Sequence, residues 1–161
     1  MLEISKKAKI SKLADIEDSV RGSELFIDDG VNIDSFVKIK FVGGSGNIRI
    51  EKNSYINSGT VIYSGNGISI GENVLIAANC TLAPVNHAIK KDKAMIDQRF
   101  MPSRGGIIIE DDVWIGANSV ILDGAVLRKG CVVGAHSLVN SELESYSINI
   151  GSPTKRVGYR E

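Results

Sequence analysis

Aliphatic residues return at every sixth position along much of this chain. From Ile109 the series runs Ile109, Ile115, Ile121, Leu127, Val133, Val139 without a miss. The residue four places after each is mostly small: Val113, Ser119, Ala125, Cys131, Ser137 and Leu143. The same spacing holds upstream in shifted phase. It appears as Ile27, Ile33, Ile39 with Val31 and Val37, as Ile50, Ile56, Ile62 with Ser54 and Thr60, and as Ile70, Ile76, Leu82 with Val74 and Cys80. The phase slips near Gly43-Gly44-Ser45-Gly46, near Gly65-Asn66-Gly67 and across residues 88–106.

A period of six is neither the 3.6 of a helix nor the 2 of a free strand. It fits a flat coil in which each face is one short strand followed by a tight corner, with three faces and about eighteen residues per turn. Stacked coils then pair strand over strand in parallel, at a spacing of about 4.8 Å. The aliphatic residue points into the prism, and the small one tucks beside the next corner. Gly71, Asn73, Asn79, Gly116 and Asn118 fall at corners, where left-handed backbone angles cost them little. No coil can bury a core alone, so neighbours must stack. A β-sandwich would instead need sustained period-two alternation and frequent hairpin turns. The expected fold is therefore all-β, a parallel β-helix over residues 27–145 with an extruded loop at 88–106. Residues 1–26 read as a less regular N-terminal capping segment and 146–161 as a C-terminal tail.

Composition agrees. The chain of 161 residues holds 22 Ile and 14 Val against 9 Leu, so its apolar inventory is β-branched and strand-forming. Its 17 Gly and 17 Ser supply corners. Nineteen basic and nineteen acidic side chains cancel, which removes any global electrostatic case for nucleic acid or membrane surfaces. The longest apolar run is Val74 to Ala78, far short of the about 20 residues that a membrane span needs. The opening residues lack the apolar core of a secretory signal. Cys80 and Cys131 form no CxxC pair, and a reduced, cytoplasmic setting is the simplest expectation.

Residues 109–139 read IEDDVW-IGANSV-ILDGAV-LRKGCV-VGAHSL-V, with Asn86-His87 upstream and Gly151-Ser152-Pro153-Thr154-Lys155 downstream. Over roughly residues 27–160 this resembles the hexapeptide-repeat acyltransferases, in particular the galactoside, maltose and xenobiotic O-acetyltransferase branch. The resemblance implies a left-handed helix, a homotrimer, acetyl-CoA as co-substrate and active sites between subunits. The implied acceptor is a sugar or saccharide precursor, as in small enzymes that decorate surface polysaccharides. An antibiotic acceptor or an amino-sugar N-acetylation is the alternative.

The same resemblance assigns residues. His87 ends a coil where the repeat breaks and matches the family's catalytic base. A free alcohol is a poor nucleophile at neutral pH, and a neutral imidazole can take its proton as it attacks the thioester. Asn57, thirty residues earlier, matches an asparagine that hydrogen-bonds the acceptor hydroxyl or the oxyanion. Asn86 and Trp114 fall to the acceptor site, Trp114 as an aromatic wall against sugar C–H groups. The backbone N–H of Ala117 is implied to meet the thioester carbonyl, and Gly134 and Ala135 keep the groove for pantetheine small. Lys155 and Arg156, with Arg160 nearby, are expected to attract CoA phosphates. Three positions depart from the pattern. His136 replaces a glycine and either narrows the groove or stands at a corner. Asn140-Ser141 replaces a Thr-Lys pair. Glu110 replaces a common Gly.

The excursion at 88–106 carries three Lys, two Arg and the apolar Ile96, Phe100 and Met101. It is expected to be an arm that packs on a neighbouring subunit and helps enclose substrate. No metal is expected, because a zinc site of the carbonic-anhydrase type wants three histidines and only His87 and His136 exist. A non-catalytic β-helix is the remaining competitor. Asn86, Asp92 and Asp97 are all close enough in sequence to orient His87, and none stands out.

Overall fold

The computed structural model describes residues 1–19 and 21–161. The chain is a left-handed parallel β-helix of triangular section. Its first face, sheet A, stacks β1 (Leu2–Ile4), β4 (Leu25–Ile27), β7 (Ile48–Ile50), β10 (Ile68–Ile70), β13 (Ile107–Ile109), β16 (Val126–Leu127) and β19 (Glu142–Leu143). Sheet B stacks β2 (Lys9–Ile10), β5 (Asn32–Ile33), β8 (Tyr55–Ile56), β11 (Leu75–Ile76), β14 (Trp114–Ile115), β17 (Val132–Val133) and β20 (Ser147–Ile150). Sheet C stacks β3 (Asp15–Ile16), β6 (Lys38–Lys40), β9 (Val61–Tyr63), β12 (Thr81–Ala83), β15 (Val120–Leu122) and β18 (Leu138–Val139). A last strand, β21 (Lys155–Tyr159), turns back and pairs antiparallel with β20. No helix among the described residues is long and apolar enough to cross a membrane.

Register puts like on like. On sheet B, Ile33, Ile56, Ile76, Ile115 and Val133 stack one above another, each at most 1% exposed. On sheet C the inward column is Ile39, Ile62, Leu82, Ile121 and Val139, all fully buried. The residues expected to tuck beside corners are buried too, and the polar ones among them are satisfied. Ser54 donates to Gly71 O at 2.7 Å, Thr60 to Ala77 O at 3.2 Å and Ser119 to Gly134 O at 3.2 Å. Each hydroxyl reaches a carbonyl of the next coil, so it adds a rung instead of an unpaired polar group.

The three phase slips fall on one edge of the prism, where the chain passes from sheet C to sheet A. Extra residues inserted there leave all three strand registers intact. Asn73, Asn79 and Asn118 do take left-handed angles, at φ 56°, 59° and 59°. Gly116 does not; it is needed because a Cβ there would meet Ala135 N at 2.5 Å.

The coils begin at Leu2 rather than at residue 27. β1, β2 and β3 pair in parallel with β4, β5 and β6, so the expected capping segment is itself a turn of the helix. It ends the stack, with Ala8, Ile10, Ala14 and Ile16 only partly buried. Residue 20, within that segment, lies outside the described residues. The tail likewise contributes strands β20 and β21.

Glu110 has a structural task. Arg128 bridges it at 2.8 Å to Glu142 of the following coil, also at 2.8 Å, and Lys129 N–H donates to its other oxygen. These contacts, the Arg128 hydrogen bond foremost, hold the Glu110 carboxyl below its ordinary value. A depressed carboxyl stabilises the fold above its unfolded pKa and loses that contribution as pH falls through the folded one. Urea midpoints should therefore fall on acidification below the ordinary glutamate range, and Glu110→Gln should reduce that fall. In the same assay Ile70→Ala should cost about 2–5 kcal/mol. Its outward neighbour Ser69→Ala should stay within about 0.5 kcal/mol.

Candidate active site

The edge between sheets B and C is lined by small residues in register. The chain crosses it at Asn57-Ser58, Ala77-Ala78, Gly116-Ala117 and Gly134-Ala135, each pair directly following a sheet B strand. The first member of each pair donates its N–H to the next coil. The second does not: the N–H groups of Ser58, Ala78, Ala117 and Ala135 have no protein acceptor among the described residues. The result is a row of donors along a shallow, side-chain-poor edge. Beyond them His136 stands at a left-handed corner, φ 56°, stacked over Asn118 at 3.5 Å between Nε2 and Nδ2.

Asn57, at the N-terminal part of this row, donates its Nδ2 to Ile76 O at 3.0 Å, leaving Oδ1 as its open group. At the other end the turn Gly151–Thr154 lies over the row. Gly151 N–H donates to the Ser137 hydroxyl, and Thr154 N–H to Leu138 O. Lys155 follows, exposed and with no ion-pair partner among the described residues. The edge therefore brings together Asn57, Ala117, Gly134, Ala135 and Lys155. Arg156 and Arg160 do not join them. Arg156 pairs with Glu144 at 2.7 Å and lies over the Tyr159 ring. Arg160 is bound to the Asp112 carboxylate at 2.8 Å and to Gly130 O at 3.0 Å. Both are structural clamps for β21, and neither is a free cation. The Tyr159 hydroxyl, ahead of Arg156, holds the Glu144 carboxyl below its usual value.

Asn86 and His87 sit elsewhere. They follow β12 on the edge between sheets C and A, so the width of sheet C separates His87 from Asn57 and Ala117 within one chain. His87 opens the arm and pairs with Phe100 in an antiparallel bridge. The two rings lie 4.5 Å apart and tilted by 51°. Asn86 O accepts from Met101 N–H at 2.7 Å, and Ala88 N–H donates to Arg99 O at 2.9 Å. The imidazole has no hydrogen-bond partner among the described residues, Asn86, Asp92 and Asp97 included, and the Phe100 ring packs against it. Trp114 is half-exposed on sheet B, between Leu75 and Val132 and near Arg160.

Two residues that the repeat pattern does not single out hold the arm. Gln98, buried within it, accepts from Lys90 N–H at 2.7 Å and donates to Lys90 O and Lys93 O at 2.8 and 3.2 Å. Asp123, 2% exposed, accepts from the N–H groups of Arg104 and Gly106 at 2.8 and 2.9 Å and from Asn66 Nδ2 at 3.1 Å. It fixes the point where the arm re-enters the helix. The available signal is its place as the one carboxylate in the run Ile121–Val126.

Two family models match the chain: bacterial transferase hexapeptide (six repeats) over residues 106–141, and the hexapeptide repeat of succinyl-transferase over residues 47–84. The galactoside O-acetyltransferase of Escherichia coli K12 is 34% identical over 136 residues, covering 82% of this chain and 63% of that enzyme. The chain spans less than two-thirds of the length of the first curated relatives it matches. Among solved structures, a variant of AntD, an N-acyltransferase from Bacillus cereus in complex with dTDP-4-amino-4,6-dideoxyglucose and coenzyme A, is 25% identical. It has a TM-score of 0.82, with 99% of this chain and 84% of that one covered. A hexapeptide-repeat acetyltransferase from Vibrio cholerae, complexed with acetyl coenzyme A, is 26% identical with a TM-score of 0.73, covering 84% and 71%.

Replacing Asp123 with Ala leaves buried N–H groups unpaired, at a cost of about 1–3 kcal/mol. The loss should be local. Limited trypsin digestion should cut the Asp123→Ala arm at Lys90, Lys91, Lys93 or Arg99 about tenfold faster than wild type, with the far-ultraviolet spectrum unchanged.

Proposed function

The chain is a hexapeptide-repeat protein related to the galactoside O-acetyltransferases, and we propose that it moves the acetyl group of acetyl-CoA onto a hydroxyl of a sugar or saccharide precursor. The observation that carries this reading is the division of labour between two edges. One edge offers small residues and a row of unpaired N–H groups suited to an acyl-pantetheine chain. The other offers an imidazole at the root of an arm. Sheet C stands between them, so neither edge alone can do the chemistry. Its outer face is mostly apolar, with Val61, Ala83, Val120, Leu122 and Leu138 beside Tyr63 and Thr81, all partly buried in the single chain. That supports a homotrimer in which the His87 edge of one protomer meets the Ala117 edge of the next, with the arm reaching across.

In that arrangement neutral His87 takes the proton of the acceptor hydroxyl as its oxygen attacks the thioester carbon. The carbonyl oxygen gains negative charge and is met by Ala117 N–H of the neighbouring protomer, with Asn57 helping to hold acceptor or oxyanion. The C–S bond then breaks and the imidazolium returns its proton to the leaving sulfur. Ester and free CoA thiol result, and the histidine is neutral again. Phe100 keeps the ring in place through both transfers. Asn86 and Trp114 belong to the acceptor side. Lys155 serves the CoA phosphates, with Gly134 and Ala135 beneath the pantetheine. Arg156 is left out, because Glu144 already neutralises it.

A second reading, N-acetylation of an amino sugar, is favoured by the likeness to the Bacillus cereus N-acyltransferase. The products separate the two: mild hydroxylamine cleaves an ester and spares an amide. With acetyl-CoA and sugar acceptors, His87→Ala should lower thiol release by about 10²–10⁴-fold, while sedimentation shows a trimer and CoA affinity is retained. Normal turnover by that variant would remove His87 from the mechanism.

A further inference from the structure

We propose that the arm carries a second anion site, one that holds a phosphate or diphosphate linked to the acceptor sugar. The inference deepens the acetyltransferase reading and rests on it. Charge is distributed unevenly in a chain with no net charge. Residues 88–106 hold five cations, Lys90, Lys91, Lys93, Arg99 and Arg104, against two carboxylates, Asp92 and Asp97, so the rest of the chain is net negative. Of the 14 cations elsewhere, seven make ion pairs among the described residues (Lys7, Lys38, Lys40, Arg49, Arg128, Arg156 and Arg160) and the other seven are scattered along the chain. Among the described residues, Lys90, Lys91, Lys93 and Arg99 pair with no carboxylate. Uncompensated like charge on one short segment is unfavourable in the free protein and is relieved by an anion.

Placement ties this charge to the chemistry. Lys90, Lys93 and Arg99 line one depression together with Ala88, Asp97 and Gln98. The backbone of its wall neighbours that of the candidate base: the Ala88–Arg99 hydrogen bond is the next link after the His87–Phe100 bridge. Lys90 lies three residues past His87, so their Cα atoms are at most about 10 Å apart. That is room for one sugar ring between a reacting hydroxyl and its phosphate. Gln98 makes the site a built one: its amide fixes the backbone at Lys90 and Lys93, so the cations project from a held loop. Asp97, in the same lining, offsets one of the three charges and leaves a surplus. Phosphate oxygens match such a set, by charge-assisted hydrogen bonds from Lys and a fork from Arg.

The test uses the full chain saturated with CoA, so that the donor site is filled. Uridine diphosphate, farnesyl diphosphate and uridine are titrated calorimetrically. Acetyl transfer is then compared between a diphosphate-linked sugar and the same sugar free. Either diphosphate should bind while uridine does not, and the tighter of the two identifies a nucleotide or a lipid carrier. The variant Lys90→Gln/Lys93→Gln/Arg99→Gln should lose about tenfold or more in diphosphate affinity. Its kcat/KM on the linked acceptor should fall in parallel, with the free sugar and CoA affinity unchanged. The Lys90→Arg/Lys93→Arg variant should retain binding. Loss of CoA affinity in the Gln variant, equal use of free and linked sugar, or no diphosphate binding would each overturn the site. Diphosphate binding through these cations with no transfer to any acceptor would keep the site and overturn the acetyltransferase reading.

Discussion

The coil-to-coil register is the constraint on which the rest of the molecule depends. A coil has no partner of its own for its backbone or for its inward aliphatic residue; both are supplied by the coil before and the coil after. A slip of one residue would turn the buried column outward on every face at once. The chain satisfies this with an inward aliphatic residue on each face and a second inward position that is either another apolar residue, as at Ile48, Ile68 and Ile107 on sheet A, or a Ser, Thr or Cys reaching a carbonyl of the next coil. It can afford irregularity only where no strand register is disturbed. That place is the edge from sheet C to sheet A, and the arm leaves the helix there.

Rigidity and reach are divided accordingly. The donor row between sheets B and C consists of backbone N–H groups held by the ladder itself, so its geometry is as fixed as the fold. The imidazole is on the excursion, where nothing in the ladder would hold it. Gln98 within the arm, Asp123 at its re-entry and Phe100 against the ring make up that deficit. A side chain on a stapled loop can be positioned by a few neighbours without retuning the helix, and function commonly sits on such loops of a rigid scaffold.

Much of this was legible in the sequence. The aliphatic sixes from Ile27 to Val139 name the inward residues, and the three slips mark the one tolerant edge. The first coil was legible in principle as well. Ile4, Ile10 and Ile16 are six apart, with Ala8 and Ala14 in the small position, but charged neighbours and a single repeat make them look like a cap. Three things were not legible, each for a physical reason. The pairing of Arg156 with Glu144 depends on β21 reversing direction, which no periodicity encodes. The roles of Gln98 and Asp123 depend on which loop backbone comes within hydrogen-bonding distance. The separation of His87 from Ala117 appears only once residues thirty apart are assigned to edges of a prism.

The reversal at the C-terminus has a further consequence. Parallel stacking has no natural end, and a solenoid whose last coil exposes open ladders is a template on which another molecule's first coil could dock, head to tail, into a fibre. Strand β21 covers sheet B with a chain running the opposite way, clamped by Arg156 and Arg160. A coil stacked on that edge would meet one face of three in the wrong polarity, so direction alone interrupts the parallel ladder of sheet B there.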